Sequence, residues 1–547
     1  MTKQPADMTR AVDLTAEHGA GAVRTSHPQW LDLLPPCTNA CPAGEDIQAW
    51  LALAQAGRFR QAWDVILRDN PLPAVHGRVC YHPCEGSCNR NELGAPVSIH
   101  AVERFLGDMA NREGWTPRIE AEPSGRRVLV VGAGPSGLSA AYHLTRLGHA
   151  VEIHEAGPLP GGMMHFGIPA YRLPRAELLA DIARIERLGV RIVLNHRVTD
   201  LAAEKEAGRF DAVFVAIGAH VSKHAEIPAR DAARVLDAVG YLRGVASGNP
   251  PLLGRRVVIY GGGNTAMDAA RTARRLGADE AVIVYRRDRE HMPAHAFEAD
   301  EAIEEGVKIK WLTSISQIVG SELTVEIMQL DAAGRPQPTG RFETLCADAV
   351  VLALGQDTDS FFLAGLPGIV PAADGTVQVG ANMMTGHAGI FAGGDMVPSQ
   401  RTVTVAVGHG RKAARHIDAW LRGGVYTPAA KPAIVGFSSL NLLVFSDAEP
   451  TQPHSLAAQD RTEGFAEVVS GLTEAESRYE AQRCLSCGNC FECDNCFAAC
   501  PEDAILKLGP GQFYRVDFAK CTGCSVCFEQ CPCAAIAMIA EPAGTGG

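Results

Sequence analysis

Residues 484–532 read CLSCGNCFECDNCFAACPEDAILKLGPGQFYRVDFAKCTGCSVCFEQCP, and two runs within this stretch share the spacing C-x2-C-x2-C-x3-C-P. The cysteines of the two runs are Cys490, Cys493, Cys496, Cys500, Cys521, Cys524, Cys527 and Cys531. In two-cluster bacterial ferredoxins, each such run gives three thiolates to one [4Fe–4S] cluster and its fourth thiolate to the other cluster. Zinc knuckles and disulfides are the alternatives, but structural zinc sites take their ligands as two short pairs. The spacing therefore predicts an α+β ferredoxin domain with two clusters over residues 479–547.

The length, charge and composition of the chain limit its function. With 547 residues, it is long enough for three or four domains. Its net charge of −12 argues against binding to nucleic acid or an anionic membrane, because both require basic surfaces. The N-terminal residues lack the apolar core of a signal peptide, and no apolar run approaches the roughly 20 residues of a membrane helix. We expect a cytoplasmic protein without direct membrane insertion, since thiolates that bind metal must stay reduced.

A second group of cysteines lies near the N-terminus. Residues 1–30 show no pattern and are predicted to form a flexible arm, whereas residues 31–122 are predicted to form a helical iron–sulfur domain. The cysteines of this domain are Cys37, Cys41, Cys80, Cys84 and Cys88. Apolar residues recur at helical intervals on both sides of Gly57, which indicates two amphipathic helices. Five thiols are too few for two complete four-cysteine clusters, so zinc and free thiols remain the alternatives.

A dinucleotide-binding motif begins at residue 126 with RRVLVVGAGPSGLSAAYHLTRLGHAVEIHEA. Gly132, Gly134 and Gly137 form G-x-G-x-x-G directly after an apolar strand, and a helix follows. These glycines suit the tight turn, the close approach of a pyrophosphate and the packing of helix on strand. Glu155 ends the second strand, where an acid accepts hydrogen bonds from a ribose. The motif predicts a Rossmann-like domain over residues 123–252 and 358–425.

A second copy of this pattern begins at residue 255 with RRVVIYGGGNTAMDAARTARRLGADEAVIVYRRD. Gly261, Gly263 and Ala266 form G-x-G-x-x-A around Asn264, and we predict that these four residues bind a nucleotide over a domain of residues 253–357. The second strand ends in arginines rather than an acid. The two arginines are Arg286 and Arg287. Arginine at this point suits a 2′-phosphate and favours NADP over NAD, although a solvated strand end is the alternative.

Two dinucleotide folds in series predict one bound flavin, FAD, and one exchangeable nicotinamide nucleotide. The apolar strands at 211–219 and 347–356 are expected where the chain crosses between the two domains. In HAGIFAGGDMV, the pair Gly394 and Asp395 follows a strand, and the carboxylate there is predicted to bind the ribityl hydroxyls of the flavin. Residues 402–421 are predicted to form a helix whose N-terminus faces the flavin. Residues 426–478 are rich in Pro, Ser and Thr and are predicted to be a linker across the flavoprotein surface.

Residues 35–425 resemble the small subunit of NADPH-dependent glutamate synthase. That family includes related modules in dihydropyrimidine dehydrogenase and the NADH-dependent ferredoxin:NADP oxidoreductases. The matching motifs are CTNACPAGEDIQAW, GRVCYHPCEGSC, VVGAGPSGLSAA, GGMMHFGIPAYRLP, GGGNTAMDAAR, VYRRDREHMPA and GIFAGGDMV. The resemblance implies FAD on the first dinucleotide fold, with Gly162 at its site, and NADP(H) on the second. It also implies two [4Fe–4S] clusters in the N-terminal domain of a multidomain α/β chain.

The ligands that the resemblance implies can be carried over in part. One N-terminal cluster would use Cys41, Cys80, Cys84 and Glu103. The other would use Cys37, Cys88 and a C-x2-C pair just before Cys37, but residues 31–36 are LDLLPP. The family phrase R-C-x-x-C-G occurs instead at residues 483–488, and we hypothesise that its two cysteines complete this cluster. These two cysteines are Cys484 and Cys487. The alternative is that Cys37 and Cys88 are plain thiols.

The predicted cofactors define a function. A nicotinamide carries two electrons as a hydride and a cluster carries one, so a flavin must stand between them. We therefore expect an NAD(P)H:acceptor oxidoreductase subunit of the ferredoxin type, with no catalytic acid or base. The histidines near the cofactor motifs are interpreted as packing or hydrogen-bonding groups. They are His165, His291 and His295.

The partner of this subunit is predicted from the ferredoxin domain. Low-potential clusters favour the NAD(P)-reducing subunit of a complex of the 2-oxoacid:acceptor oxidoreductase type. A glutamate synthase-like reductase that feeds electrons from NADPH to a partner is the second candidate. A candidate from a different functional class is a structural hub that holds partner subunits, in which the clusters only stabilise the fold. We expect other subunits of a redox complex, a soluble ferredoxin or both as partners, and bifurcation would require still more redox partners.

Overall fold

The computed structural model describes residues 24–541 apart from 224–226 and 231–233. The strands are β1 (Ser26–Trp30), β2 (Arg127–Val131), β3 (Ala150–His154), β4 (Arg191–Val193), β5 (Ala212–Val215), β6 (Val221–Ser222), β7 (Ala229–Arg230), β8 (Arg234–Asp237), β9 (Arg256–Tyr260), β10 (Glu280–Val284), β11 (Lys308–Lys310), β12 (Thr313–Val319), β13 (Glu322–Leu330), β14 (Pro336–Cys346), β15 (Ala349–Leu352), β16 (Gln356–Asp357), β17 (Ile390–Ala392), β18 (Ile505–Lys507), β19 (Tyr514–Val516) and β20 (Ile536–Ala540).

The α-helices are α1 (Pro36–Ala40), α2 (Ile47–Gln55), α3 (Phe59–Ile66), α4 (Pro73–Val79), α5 (Pro83–Gly86), α6 (Ile99–Glu113), α7 (Pro135–Arg146), α8 (Met163–Phe166), α9 (Arg175–Glu186), α10 (Leu201–Ala207), α11 (Ala238–Ala246), α12 (Asn264–Arg275), α13 (Ala296–Glu304), α14 (Val403–Leu421), α15 (Ala458–Arg461), α16 (Glu474–Gln482), α17 (Asn495–Ala499) and α18 (Val526–Glu529). Short 3-10 helices span Asn89–Leu93, Phe361–Leu363, Gly394–Met396, Phe437–Ser439 and Leu442–Val444. Within the described ranges, none of these helices has the length and apolar character needed to span a bilayer.

The N-terminal domain is helical from α1 to α6. Gly57, with φ of +71°, separates α2 from α3, and the two helices bury Trp50 and Trp63 completely. Helices α4 and α6 cross so closely that a Cβ on Gly77 would lie 2.4 Å from the Cα of Arg104. This close crossing holds the end of α4, just before Cys80, against the face of α6 that carries Glu103.

The first dinucleotide fold is a parallel sheet with the strand order β17-β5-β2-β3-β4. Residues 128–131 of β2 are buried because the sheet is covered on both faces, as is usual for parallel sheets. Helix α7 follows β2, and α14 packs against α7. The glycine turn between β2 and α7 therefore opens at the carboxyl edge of the sheet, where open α/β sheets bind their ligands.

The second dinucleotide fold has the order β11-β10-β9-β15-β8 and is also parallel. The predicted boundary at residue 253 is wrong, because β8 pairs with β15 and α11 packs against α12 of this fold. Strand β8 is four residues long and carries no glycine turn, so the sequence alone gave no reason to place it here. The antiparallel strands β12, β13 and β14 extend this fold on one side.

The chain crosses between the two dinucleotide folds twice. After β5 it forms β6, and after β15 it forms β16, and these two short strands pair antiparallel. Both crossings lie where the apolar segments 211–219 and 347–356 end, as expected from the sequence. The paired crossings bring the carboxyl edges of the two sheets to face each other.

Part of the predicted flexible arm is an ordered strand. Residues 1–23 lie outside the described residues, but β1 at residues 26–30 pairs antiparallel with β20 along its whole length. The ring of Trp30 stacks on Tyr514 with centroids 6.3 Å apart, and Trp30 packs against the core of the C-terminal segment. The prediction of a flexible arm is therefore wrong for residues 26–30, because a sequence without local pattern gains its order from a distant partner strand.

The segment predicted as a linker, residues 426–478, lies mainly against the helical N-terminal domain. Arg90 Nη2 donates to the Ser446 carbonyl at 2.9 Å, Ser98 Oγ to Thr451 at 3.1 Å and Arg104 Nη1 to Val469 at 2.7 Å. Only a smaller part reaches the flavoprotein surface, where the Val468 amide donates to the Tyr171 carbonyl at 2.9 Å. These contacts place α16, and the cysteines that follow it, against the N-terminal domain.

Candidate functional site

A cavity of about 970 Å³ lies between the carboxyl edges of the two parallel sheets. Gly132 and Gly134 of the first glycine turn line it, and so do Gly263 and Asn264 of the second turn. Both predicted nucleotide sites therefore open into one continuous space. A cavity of this extent is at the upper end of the range for ligand sites.

The first glycine turn needs each of its glycines for a separate reason. Gly132 has φ of +104°, and a Cβ there would lie 2.5 Å from the Ala216 carbonyl oxygen. A Cβ on Gly137 would lie 2.0 Å from the Gly132 carbonyl oxygen, so only glycine lets α7 pack on the turn. Gly134 differs, because a Cβ there meets no described atom within 4 Å. The free space at Gly134, beside the N-terminus of α7, fits a pyrophosphate.

The predicted ribose acid, Glu155, is fixed beside this turn. Its Oε2 accepts from the Ala133 amide at 2.8 Å, and its Oε1 accepts from the Gly157 amide at 2.7 Å. Gly162 lies across from Gly134, and a Cβ on Gly162 would come within 2.9 Å of the Gly134 Cα. All of these residues except Ala133 line the cavity.

Gly394 and Asp395, which follow β17, also line the cavity. Gly394 has φ of +74°, and its amide donates to His409 Nδ1 at 3.1 Å. Burial raises the pKa of Asp395 to about 6, while Arg401 acts in the opposite direction. Thr402 caps the N-terminus of α14 by accepting from the Val405 amide, and this terminus also lines the cavity. A carboxylate and a helix N-terminus thus face the space beside the first turn.

The second glycine turn repeats the geometry of the first. Gly261 has φ of +149°, and a Cβ there would lie 2.2 Å from the Ala353 carbonyl oxygen. Among described atoms, nothing lies within 4 Å of a Cβ on Gly263, so this turn also keeps free space at a helix N-terminus. Ala266 is fully buried in α12. Asn264, the first residue of α12, reaches into the cavity.

The two arginines predicted to favour NADP follow β10. Arg286 is exposed and Arg287 is half-buried. Neither of them is among the described residues that line the cavity. Their role in choosing NADP over NAD stays a prediction.

Cys37, Cys88, Cys484 and Cys487 come together although they lie at opposite ends of the chain. Burial, followed by the charges of Cys484, Cys88 and Cys487, raises the pKa of the Cys37 thiol well above its usual range. Asn89 Nδ2 donates to Cys487 Sγ at 3.3 Å. Buried thiols crowded in this way become thiolates only when a cation lies among them, which fits an iron–sulfur cluster.

Cys41, Cys80, Cys84 and Glu103 form a second group. Burial is also the main cause that raises the pKa of Cys80, to about 12, and the charge of Glu103 acts in the same direction. Burial, followed by the charges of Glu85, Cys80 and Cys41, raises the pKa of the Cys84 thiol well above its usual range. The side chain of Glu103 is buried and accepts from Asn70 Nδ2 at 2.8 Å. Three thiols and one carboxylate fit the ligand set that the family resemblance implies.

Sequence reasoning missed the polar residues behind Glu103. Glu45 and His76 are buried, and both contact the Asn70 amide at 2.9 Å. Burial and then the charge of Glu45 raise the pKa of Glu103 well above its usual range. Asn70 therefore holds two carboxylates at one place beside the cysteines. Glu45 follows Cys41 by only four residues, and this spacing was the one available signal.

The ferredoxin-type cysteines separate into two groups of three plus one. A cavity of about 20 Å³ is lined by Cys521, Cys524, Cys527 and Cys500, which is the fourth cysteine of the other run. The second group contains Cys490, Cys493 and Cys496, which share Cys531 as a charged neighbour. This exchange of the fourth cysteine is the arrangement expected from two-cluster ferredoxins.

The family model for the pyridine nucleotide-disulphide oxidoreductases matches residues 126–410, which is more than half of the chain. The chain belongs to the pyridine nucleotide-disulphide oxidoreductase family. A second model, dihydropyrimidine dehydrogenase domain II with a 4Fe-4S cluster, matches residues 33–115. The fold contains Rossmann-like domains, and the chain is an oxidoreductase with FAD, NAD(P) and [4Fe–4S] cofactors, as the motifs predicted.

The chain is similar over most of its length to subunits of redox enzymes. It is 36% identical to the NADP(+)-dependent formate dehydrogenase subunit beta of Moorella thermoacetica, over 86% of this chain and 73% of that one. It is 34% identical to the NADPH-Fe(3+) oxidoreductase subunit beta of Geobacter sulfurreducens, over 83% and 75%. It is also 34% identical to the glutamate synthase [NADPH] small chain of Escherichia coli K12, over 71% and 89%. The resemblance to the glutamate synthase small subunit is confirmed, and the chain is an FAD- and iron–sulfur-dependent electron-transfer subunit.

Proposed function

We propose that this chain carries electrons between NADP(H) and a partner subunit, through FAD and then through iron–sulfur clusters. One observation carries the proposal: Val79 and Tyr81, on both sides of Cys80, line the same cavity as the two glycine turns. A cluster held by Cys80 would therefore adjoin the cavity that the two nucleotide sites share. Flavin exchanges a hydride with nicotinamide and single electrons with clusters, which is why it belongs between them.

The first dinucleotide fold is proposed to hold FAD. Glycine-lined free space and the N-terminus of α7 would receive the pyrophosphate, and two carboxylates would orient the ribose and the ribityl chain. The residues in these roles are Gly132, Gly134, Gly137, Glu155, Gly162, Gly394 and Asp395. The second fold is proposed to bind NADP(H) through Gly261, Gly263, Asn264 and Ala266, with Arg286 and Arg287 toward the 2′-phosphate.

Four [4Fe–4S] sites are proposed from the four groups of thiols. The first would use Cys41, Cys80, Cys84 and Glu103. The second would be a split site of Cys37, Cys88, Cys484 and Cys487. The two ferredoxin sites would use Cys490, Cys493, Cys496 and Cys531, and Cys521, Cys524, Cys527 and Cys500. Because Cys487 and Cys490 are separated by two residues, the split site would adjoin the ferredoxin domain and complete a path from the cavity.

The partner is proposed to be a subunit that carries the substrate chemistry. The similar proteins named above are beta subunits or a small chain, and their names refer to formate dehydrogenase, Fe(3+) reduction and glutamate synthase. Their names also refer to NADP(+) or NADPH, which supports NADP as the nucleotide here. A 2-oxoacid oxidoreductase partner and the direction of electron flow stay predictions from the sequence.

Anaerobic titration of the purified protein with NADPH tests this function. We expect bleaching of the flavin absorbance, followed by electron paramagnetic resonance signals of reduced clusters. A flavin that NADPH does not bleach, or clusters that stay oxidised after the flavin is reduced but respond to dithionite, would contradict the proposal. The second outcome would instead support clusters that only hold the fold together.

The split site is tested by iron analysis of a Cys484→Ser/Cys487→Ser variant. We expect a loss of about four iron atoms per chain, because one cubane contains four. Cys346→Ser is the matched control, since Cys346 is exposed and lies at the end of β14, outside every group of thiols described above. Unchanged iron in the double variant would reject the split site.

A further inference from the structure

Tyr81 connects the iron–sulfur domain to the second glycine turn. It directly follows Cys80, and its ring lines the large cavity. The Tyr81 hydroxyl accepts from Asn264 Nδ2 at 2.6 Å and lies 3.2 Å from Glu298 Oε1, to which it donates. The ring stacks on the His295 imidazole with centroids 3.7 Å apart and planes 15° apart. One side chain thus contacts the start of α12 and two residues around the start of α13.

Asn264 is held at both ends of its side-chain amide. Its Nδ2 donates to the Tyr81 hydroxyl, and its Oδ1 accepts from the His295 amide at 3.1 Å. Asn264 is the first residue of α12, directly after Gly263 and its free space. The orientation of this amide at the mouth of the nucleotide turn therefore depends on Tyr81, a residue from another domain.

The surroundings of Tyr81 keep its hydroxyl in place. Arg172, from the first dinucleotide fold, binds both carboxylate oxygens of Asp268 at 2.9 Å and also pairs with Glu298 at 2.5 Å. The Glu298 side chain is only 1% exposed, so this ion pair is shielded from solvent. Three domains meet at this point, and the Tyr81 hydroxyl lies between Asn264 and the anchored Glu298.

We propose that Tyr81 is a positioning residue for the nicotinamide nucleotide, acting by orienting the Asn264 amide at the N-terminus of α12. The inference rests on the proposed assignment of the second glycine turn to NADP(H). A positioned amide binds its ligand without losing further side-chain freedom, so the hydroxyl contributes to affinity although it need not touch the nucleotide. The contribution belongs to ground-state binding of the nucleotide.

Calorimetric binding of NADP+ to the oxidised holoprotein tests the inference without turnover. Tyr81→Phe keeps the ring on His295 and removes only the hydroxyl, and we expect its Kd for NADP+ to rise about fivefold, the effect of one hydrogen bond. Asn264→Ala should raise the Kd at least as much. The double variant should bind no worse than Asn264→Ala alone, because Tyr81 acts through Asn264. In turnover with NADPH, Tyr81→Phe should raise KM by a larger factor than it lowers kcat.

Tyr479→Phe is the matched control, since the Tyr479 hydroxyl donates to the Glu449 carbonyl on the outer surface of α16. Flavin content, iron content and melting temperature of each variant show whether the holoprotein is intact. If Tyr81→Phe bound NADP+ as tightly as the wild type, or if the two losses of affinity were additive in the double variant, the role of Tyr81 would be rejected. The assignment of the second turn to NADP(H) would stand in either case. If the wild-type protein bound no NADP+, both the role of Tyr81 and the assignment of the second turn to NADP(H) would be rejected.

Discussion

At the scale of single residues, two glycines of the same motif are present for different physical reasons. Gly137 is required by the protein itself, because a Cβ there would lie 2.0 Å from a backbone carbonyl oxygen. Gly134 meets no described atom within 4 Å and has an ordinary φ of −75°, so the polypeptide does not require glycine there. Because Gly134 also lines the cavity beside the N-terminus of α7, a glycine that the fold does not need indicates space for a ligand at this position.

This contrast gives a paired prediction. Gly134→Ala should leave the melting temperature of the flavin-free protein unchanged and weaken FAD binding by roughly tenfold or more, since the new methyl occupies the space of the pyrophosphate. Gly137→Ala should lower both FAD binding and stability, the latter by about 1–3 kcal/mol from overpacking. Flavin fluorescence titration and thermal melts distinguish the two. Equal melting temperatures for both variants would argue against this division of roles.

The role of Gly134 stays a prediction, whereas the packing requirement at Gly137 was predictable because the motif is local. The same holds for the cysteine runs, whose spacing alone indicated the exchange of Cys500 and Cys531 between groups. Glu45 and Asn70 were not predictable, since nothing in the sequence says that a carboxylate and an amide will be buried behind a thiol group. Strand β8 was missed for a similar reason, because a four-residue strand is defined by its neighbours rather than by its own sequence.

At the scale of elements, the crossing of α4 and α6 determines the geometry of one thiol group. Cys80 follows α4, and Glu103 lies on α6, so the distance between the two helices sets the distance between the two side chains. Gly77 and Gly107 allow the close approach, since a Cβ on either would lie 2.4 Å from backbone atoms of the other helix. The two glycines therefore affect the thiol group indirectly, through the spacing of the helices that carry Cys80 and Glu103.

We predict that Gly77→Ala separates the helices and disrupts this site. The added methyl should cost about 1–3 kcal/mol and reduce the iron content by about four atoms per chain, with the ferredoxin-type signals retained. Gly86→Ala in α5 is the control, because its φ is not positive and a Cβ there meets no described atom within 4 Å. Iron analysis and electron paramagnetic resonance give the result, and full iron in Gly77→Ala would show that the helix spacing is not limiting.

At the scale of the whole molecule, the described chain closes on itself. Strand β1 pairs with β20, and the segment 426–478 runs along the helical domain. The C-terminal cysteine groups are thus held at both sides, by β1 and by the contacts of Cys484 and Cys487 with the N-terminal domain. Sequence reasoning found the modules and missed this closure, because strand pairing over such a separation leaves no local pattern.

Trp30→Ala should loosen this closure. Loss of the packing of Trp30 on Tyr514 should cost about 2 kcal/mol and make the C-terminal segment more sensitive to protease, with the flavin site unaffected. Gln29→Ala is the control, since Gln29 is the exposed neighbour on the same strand. Limited proteolysis followed by mass spectrometry locates the cleavage, and identical digestion of both variants would show that β1 does not hold the segment.

The meeting of Cys37 with Cys484 and Cys487 has a consequence for how the protein is made. Domains generally fold in order as the chain leaves the ribosome. This thiol group, however, cannot form until almost the entire polypeptide has been translated. If the proposed split site holds a cluster, iron delivery there would be a late event in maturation, after the flavoprotein core has already folded. Prematurely terminated chains would carry a folded core and an open, oxygen-sensitive half-site that cellular quality control could recognise.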